Sequence, residues 1–330
     1  MPGAVHTLEE GTGMKWAKFF VLLALICFSI FTTRVSASFA VYYGQIGPSE
    51  FPELDSFDII ILSPTVNSTY VSKLSANHTV VGYVSLATIG GWEPWAKNVP
   101  EGLLIGENQN WDEGVVDFSS PEWERIILEE AVPYILSQGF DGVFLDNLDY
   151  VDLYPEKKDA MVNLVRAIRE RYPNITIIAN RGFSIAEEIA PYVDYVLLED
   201  FVTYYNLSSD RYEVFDESEL QWEFDQIQKL KSLNISILAL SYADLTNESQ
   251  VREFSALICM YAEEYNISEV YLADLSLQRI GFDPCERQRE GTRTTWEGTP
   301  QETSNEENEE AVCGPVIFLP LILLGRFILR

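Results

Sequence analysis

A single (β/α)8 barrel, an α/β fold, is what the sequence predicts, and three observations predict it. The 330 residues exceed the ~150 of an average domain, yet with both end segments set aside residues 38–285 leave 248 positions, close to the ~250 typical of such a barrel. Short apolar, β-branched runs recur along that stretch, with helical spacing between them. The glycine-rich loops GxGxxG and GxxxxGK(S/T), which usually announce an open doubly wound sheet, do not occur in the sequence.

Eight strands are expected, over Phe39–Tyr43, Asp58–Leu62, Thr79–Leu86, Gly142–Asp146, Ile175–Asn180, Asp194–Glu199, Ile235–Tyr242 and Glu269–Asp274. Helices are expected between them over Pro121–Gln138, Pro155–Tyr172, Glu217–Leu233 and Asn247–Tyr265, where apolar residues recur three and four apart. Pro121 and Pro155 stand where a first helical turn tolerates proline, and Gly139 stands where a helix ends.

The ends carry their own signals. Lys15 and Lys18 precede the apolar run from Phe19 to Phe31, and Val35-Ser36-Ala37 has the small-x-small pattern that signal peptidases read. Residues 1–37 are therefore expected to be a secretory signal, with Met14 a candidate start; the apolar run is short of the ~20 residues of a retained membrane anchor. Seven Asn-x-Ser/Thr sequons, at Asn67, Asn77, Asn174, Asn206, Asn234, Asn247 and Asn266, agree with an exported glycoprotein. Residues 286–312, rich in Glu, Thr, Gln and Asn, read as a disordered acidic linker. Residues 313–330 open with Cys313-Gly314-Pro315 and continue as an apolar stretch closed by Arg326 and Arg330. This tail resembles the Cys-Gly-Pro sorting signals of archaeal surface proteins, which implies Cys313 as the attachment point; a short membrane anchor is the alternative. Either reading puts the barrel outside the cell, held to the membrane or cell envelope by a flexible stalk.

Composition narrows the function classes. With 47% hydrophobic, 13% aromatic and 22% charged residues, the chain is neither disordered nor collagen-like. Its 51 acids against 22 Lys and Arg give a formal charge of −29, which repels nucleic acid. Two His and four scattered Cys are too few for a zinc finger, an iron–sulfur cluster or a His-rich metal centre, so transition-metal chemistry is not expected. Both end segments are net basic, so the acid excess is carried by what lies between them. A solvated acidic surface is the plainer reading, but such a surface also attracts a cationic polymer.

Barrel chemistry sits where strands end. Strand four ends at Asp146-Asn147 with Asp149 beyond, strand five at Asn180, strand six at Glu199-Asp200, strand seven at Tyr242 with Asp244 beyond, and strand eight at Asp274. Asp146 and Glu199 each follow an apolar run directly, where a carboxylate is partly desolvated and close to others, and both effects raise its pKa. Two such carboxyls are what glycosidic bond cleavage requires. Capping of the following helix is the competing role for any one strand-end Asp, and loop hydrogen bonding is the better reading for Asp149, Asp200 and Asp244.

The segments Val81-Gly82-Tyr83-Val84-Ser85, Trp111 with Val116-Asp117, Gly139-Phe140-Asp141-Gly142-Val143-Phe144-Leu145-Asp146-Asn147-Leu148-Asp149-Tyr150 and Val196-Leu197-Leu198-Glu199 resemble the endo-α-1,4-polygalactosaminidase family of glycoside hydrolases. The resemblance implies a cofactor-free barrel that cleaves α-1,4-linked galactosamine polymers, with Asp146 as nucleophile and Glu199 as general acid/base of a retaining mechanism. A barrel that binds cell-surface glycan without cleaving it is the alternative. The loop after strand three, Leu86-Ala87-Thr88-Ile89-Gly90-Gly91-Trp92-Glu93-Pro94-Trp95, departs from the family pattern, in which a more acidic Gly-x-x-Glu-like loop is expected to shape a subsite.

Candidate substrate-binding residues are Tyr43, Trp92, Asn147, Asp149, Asn180, Tyr242 and Asp274, with Trp95, Tyr204 and Tyr205 as further rim aromatics. Partial burial against a neighbouring helix is the alternative for each aromatic, and tying loops together is the alternative for Asn147 and Asn180. Cys259 and Cys285 are candidates for a disulfide that pins the C-terminal segment to the barrel, with ordinary core burial the alternative for Cys259.

Overall fold

The structure, a computed structural model, describes residues 38–286; the expected signal, Cys313 and all but the first residue of the expected linker lie outside them. Eight strands form one sheet: β1 (Phe39–Tyr42), β2 (Ile59–Leu62), β3 (Thr79–Ser85), β4 (Gly142–Asp146), β5 (Thr176–Asn180), β6 (Tyr195–Glu199), β7 (Ser236–Tyr242) and β8 (Glu269–Ala273). Each pairs in parallel with the next in sequence. The seam between β1 and β8 is drawn together beyond the strand ends, where the Tyr43 amide donates to the Leu277 carbonyl at 2.7 Å, and inside by the Phe39 and Tyr271 rings, 5.5 Å apart. This is the expected barrel.

The strands are covered on both faces, and Ile59-Ile60-Ile61-Leu62 is buried throughout, which is why they are continuous apolar runs rather than alternating ones. Gly142 opens β4 because a side chain there would strike the Thr176 carbonyl of the next strand. Helices return the chain outside the sheet, and their starts are capped as their sequences dictate. Asn67, Ser120 and Asn247 accept backbone N–H groups, and Asp216 and Glu219 form a reciprocal capping box.

Three features depart from the sequence reading. The helix expected over Pro121–Gln138 is broken by a π turn at Ile127–Ala131, next to Pro133, which has no N–H to give to the carbonyl four residues back. The helix expected from Pro155 begins as a 3-10 turn, Pro155–Lys157, and is α-helical over Lys158–Arg171. Two antiparallel additions sit on the loops: a three-stranded sheet of Thr88–Ile89, Leu104–Asn108 and Glu113–Val116 between β3 and β4, and a hairpin of Thr203–Asn206 with Arg211–Val214 after β6. Cys259 and Cys285 are joined by a disulfide across a Cα separation of 5.3 Å, fastening the chain beyond β8 to the helix Glu248–Tyr265.

Candidate active site

Side chains two apart on a strand share a face, so the last residue of each strand and the one two before it point the same way. That rule brings Tyr83 from β3, Asp146 from β4, Asn180 from β5, Glu199 from β6 and Tyr242 from β7 to one mouth of the barrel. All are buried. The Asn180 Nδ2 donates to Asp146 Oδ1 and to Glu199 Oε2, both at 2.8 Å, so its two hydrogens are divided between the two carboxyls. Tyr83 donates to Asp146 Oδ2 at 3.0 Å and Tyr242 to Glu199 Oε1 at 2.7 Å. Every oxygen of the pair therefore has a donor.

Burial, followed by the charge of Glu199, pushes the Asp146 carboxyl up to about 7; burial, followed by the charge of the adjacent Asp200, takes Glu199 to about 7 as well. Both carboxyls are thus raised to where either protonation state is accessible near neutrality, which is a starting point for acid and base work.

The chain leaves each of these strands by the same device. Asn147, Arg181 and Asp200, the residues directly after Asp146, Asn180 and Glu199, have φ values of +66°, +55° and +66°. This is the left-handed region, which L residues other than Asn and Asp seldom adopt, and it turns the backbone sharply away one residue past each site group. Side chains hold the turns. Asn147 donates to Ser85 Oγ at 2.8 Å and Thr88 Oγ1 at 3.0 Å, while Arg181 makes ion pairs with Asp149 at 3.1 Å and Asp200 at 3.7 Å.

The other expected site residues divide into two groups. Tyr43 sits edge-on to Tyr83 with centroids 5.8 Å apart, and its phenol pKa is raised well above 10 by burial and by the charges of Asp146 and Glu199. Trp92, half-buried, lies 5.8 Å from Tyr83 ring to ring. Away from the pair, Asp149 binds Arg181 and the Gly182 amide, Asp244 accepts from Thr246, and Asp274 accepts from Ser276 and the Leu277 amide, so these acids organise loops. Trp95 is buried against Tyr134, Tyr204 stacks on Phe215 and Tyr205 packs on Tyr212.

Sequence reasoning left out three acidic or phenolic groups at this mouth. Tyr83 was legible by the two-residue rule. Glu93 and Glu113 were not singled out, although both are almost fully buried and both act electrostatically on Tyr83. Glu113 comes from the antiparallel insertion, for which the sequence gives no barrel-strand signal.

A sequence profile of glycoside-hydrolase family GH114 matches residues 29–294. The chain belongs to this family. As a GH114 member it is classed with the glycoside hydrolases. Its fold is similar to the glycoside hydrolase domain of PelA from Pseudomonas aeruginosa, with a TM-score of 0.65 and 21% identity over 74% of this chain and 98% of that one. It is also similar to Ega3 of Aspergillus fumigatus, solved in complex with galactosamine, with a TM-score of 0.58 and 17% identity over 74% of this chain and 94% of that one. At these identities the likeness is one of fold. An uncharacterised protein of Methanocaldococcus jannaschii is 26% identical over 230 residues, or 60% of this GH114 chain, and the match spans 65% of that relative's length.

Proposed function

We propose that this chain is an exported, surface-tethered enzyme that hydrolyses an amino-sugar-rich polysaccharide of the α-1,4-galactosamine type, with retention at the anomeric carbon. The observation that carries this reading is the Asn180 amide. Two 2.8 Å bonds meeting on one nitrogen mean that Asp146 Oδ1 and Glu199 Oε2 cannot be farther apart than twice that distance. This favours the ~5–5.5 Å spacing of a retaining pair over the ~6.5–9.5 Å that leaves room for a water.

Glu199, its proton favoured by burial and by Asp200, gives that proton to the leaving glycosidic oxygen while an Asp146 oxygen attacks the anomeric carbon. The carbon–oxygen bond breaks and an ester to Asp146 forms. Glu199, now ionised, takes a proton from water, the water oxygen attacks the same carbon, and Asp146 is released. Tyr83 and Asn180 hold the nucleophile, and Tyr242 and Asn180 hold the acid/base. The formal charge of −29 favours a cationic, deacetylated polymer as substrate. Export and tethering rest on the sequence signals at residues 1–37 and 313–330, outside the described residues.

The test is to incubate the purified protein with partly deacetylated α-1,4-galactosamine polymer and other amino glycans, reading new reducing ends and the anomer first released. Asp146→Asn and Glu199→Gln should each slow cleavage by about 10²–10⁴-fold. If no amino glycan is cut, or both variants cut as well as the parent, the hydrolase reading fails and a glycan-binding barrel takes its place.

A further inference from the structure

The seven sequons have no part in the proposed chemistry, and the fold sorts them by face. Asn77, Asn174 and Asn234 each stand two residues before a strand, at β3, β5 and β7, and Asn266 stands three residues before β8. Chain that enters a strand lies at the base of the barrel, opposite the end that carries the carboxyl pair. Asn67, Asn206 and Asn247 instead follow β2, β6 and β7, which puts them at the mouth end.

The two sets differ in what their side chains do. Asn67 and Asn247 cap helices, their Oδ1 atoms accepting from the Thr69 amide at 2.9 Å and the Gln250 amide at 3.2 Å. Asn206 is half-buried and tied at both ends of its carboxamide: Nδ2 donates to Glu213 at 2.8 Å, and Oδ1 accepts from the Ser208 and Ser209 amides at 3.0 and 3.3 Å. Local hydrogen bonding accounts for all of these.

At the base, Asn77, Asn174, Asn234 and Asn266 are all exposed. Asn234 and Asn266 end their helices in the left-handed conformation, with φ of +59° and +51°, a place that favours Asn. Capping therefore explains two asparagines. It explains neither Asn77 and Asn174 nor the Thr or Ser that stands two residues after each of the four. Those residues, Thr79, Thr176, Ser236 and Ser268, are half-buried or exposed, so the amide and the hydroxyl of each sequon occur together in a surface turn between helix and strand.

We infer that Asn77, Asn174, Asn234 and Asn266 are N-glycosylated, so that oligosaccharide coats the base of the barrel and leaves the mouth open to a polymer. In that modification the Asn Nδ2 bonds to the anomeric carbon of a phosphate-activated oligosaccharide supplied at the exporting membrane. The carbon–oxygen bond to phosphate breaks, the phosphate leaves with the bonding electrons, and one amide proton passes to a base of the transferring enzyme. The inference rests on the export reading above and adds which sequons are used and which end of the fold they cover.

The experiment is glycopeptide mass spectrometry on the full chain purified from its source cells, with envelope and cytoplasmic fractions kept apart. Sugar mass is expected on the four base asparagines and not on Asn67, Asn206 or Asn247. Thr176→Val, which keeps a β-branched residue at the start of β5, should remove the sugar from Asn174 and leave it on the other three, and Asn174→Gln should do the same. Envelope chains that are bare at the base, or as heavily modified beside the mouth as at the base, overturn the inference and leave export standing. Bare chains found only in the cytoplasm overturn both. Sugar on Asn174 that survives Thr176→Val overturns the inference as well, because its attachment does not read the sequon.

Discussion

Tyr242 donates its phenolic hydrogen to Glu199 Oε1 at 2.7 Å from a ring that is fully buried at the end of β7. The bond favours the ionised carboxyl and so opposes the burial that raises Glu199. Tyr242→Phe should therefore move Glu199 further above its value of about 7. The alkaline limb of kcat/KM, which requires a protonated Glu199, then shifts to higher pH. The loss in rate at the optimum should be about 10–100-fold, the worth of a hydrogen bond to a charged group. A pH profile of the parent and the variant checks both; an unmoved alkaline limb would sink the assignment of Glu199 as acid.

Several buried carboxyls share one sign of perturbation. Burial first raises Asp146, Glu113 and Glu199 to about 7 and Glu223 to about 8. Each binds its proton more tightly folded than unfolded, so its contribution to stability is whole below about pH 4 and is lost as pH rises through 7 to 8. The melting temperature should accordingly fall between pH 5.5 and 8.5, by about 2–4 °C for each kcal/mol lost. Glu223→Gln should flatten that slope. Calorimetry across the range reads both, and a melting temperature that climbs with pH would contradict the burial described.

Arg181 is the cation between Asp149 and Asp200, with its side chain 14% exposed. Arg181→Gln removes the counter-charge of two buried acids and should cost about 3–5 kcal/mol in urea unfolding. It also withdraws a positive charge that lowers Glu199, so residual activity should show the same alkaline shift as Tyr242→Phe. A fold weakened without that shift would limit Arg181 to holding the loop.

The Cys259–Cys285 bridge closes a segment 26 residues apart in sequence. Cys285→Ser, or reduction of the parent, should lower stability by about 2–4 kcal/mol. Chemical unfolding with and without reductant measures it, and no difference would mean that the chain past β8 is held by its packing alone.

How far the site could be read in advance follows from how each residue is placed. Asp146, Asn180, Glu199 and Tyr242 close apolar strands, and strand alternation is a local property of the sequence, so strand ends and their inward side chains were legible. The eight strands fell within one or two residues of their expected bounds for the same reason. Glu113 was not legible because its strand belongs to an insertion whose position over the mouth depends on long-range pairing with Thr88–Ile89. The expected rim aromatics Trp95 and Tyr204 turned inward because nearby Tyr134 and Phe215 offered rings to pack on, which no spacing rule reveals. The π turn depended on how one proline was absorbed inside a helix, which periodicity does not report.

The left-handed residues at Asn147, Arg181 and Asp200 draw a border through this molecule. On the sheet side, the side chains that bind the carboxyl pair are placed by strand register; beyond the border, the loops are held by contacts of their own, such as Arg181 with Asp149. A laboratory wishing to give this barrel a new sugar preference should therefore splice one residue downstream of each strand-end group. Loops transplanted at those seams would inherit a working pair of acids, whereas a splice one residue earlier would leave the donor loop to rebuild the catalytic geometry itself.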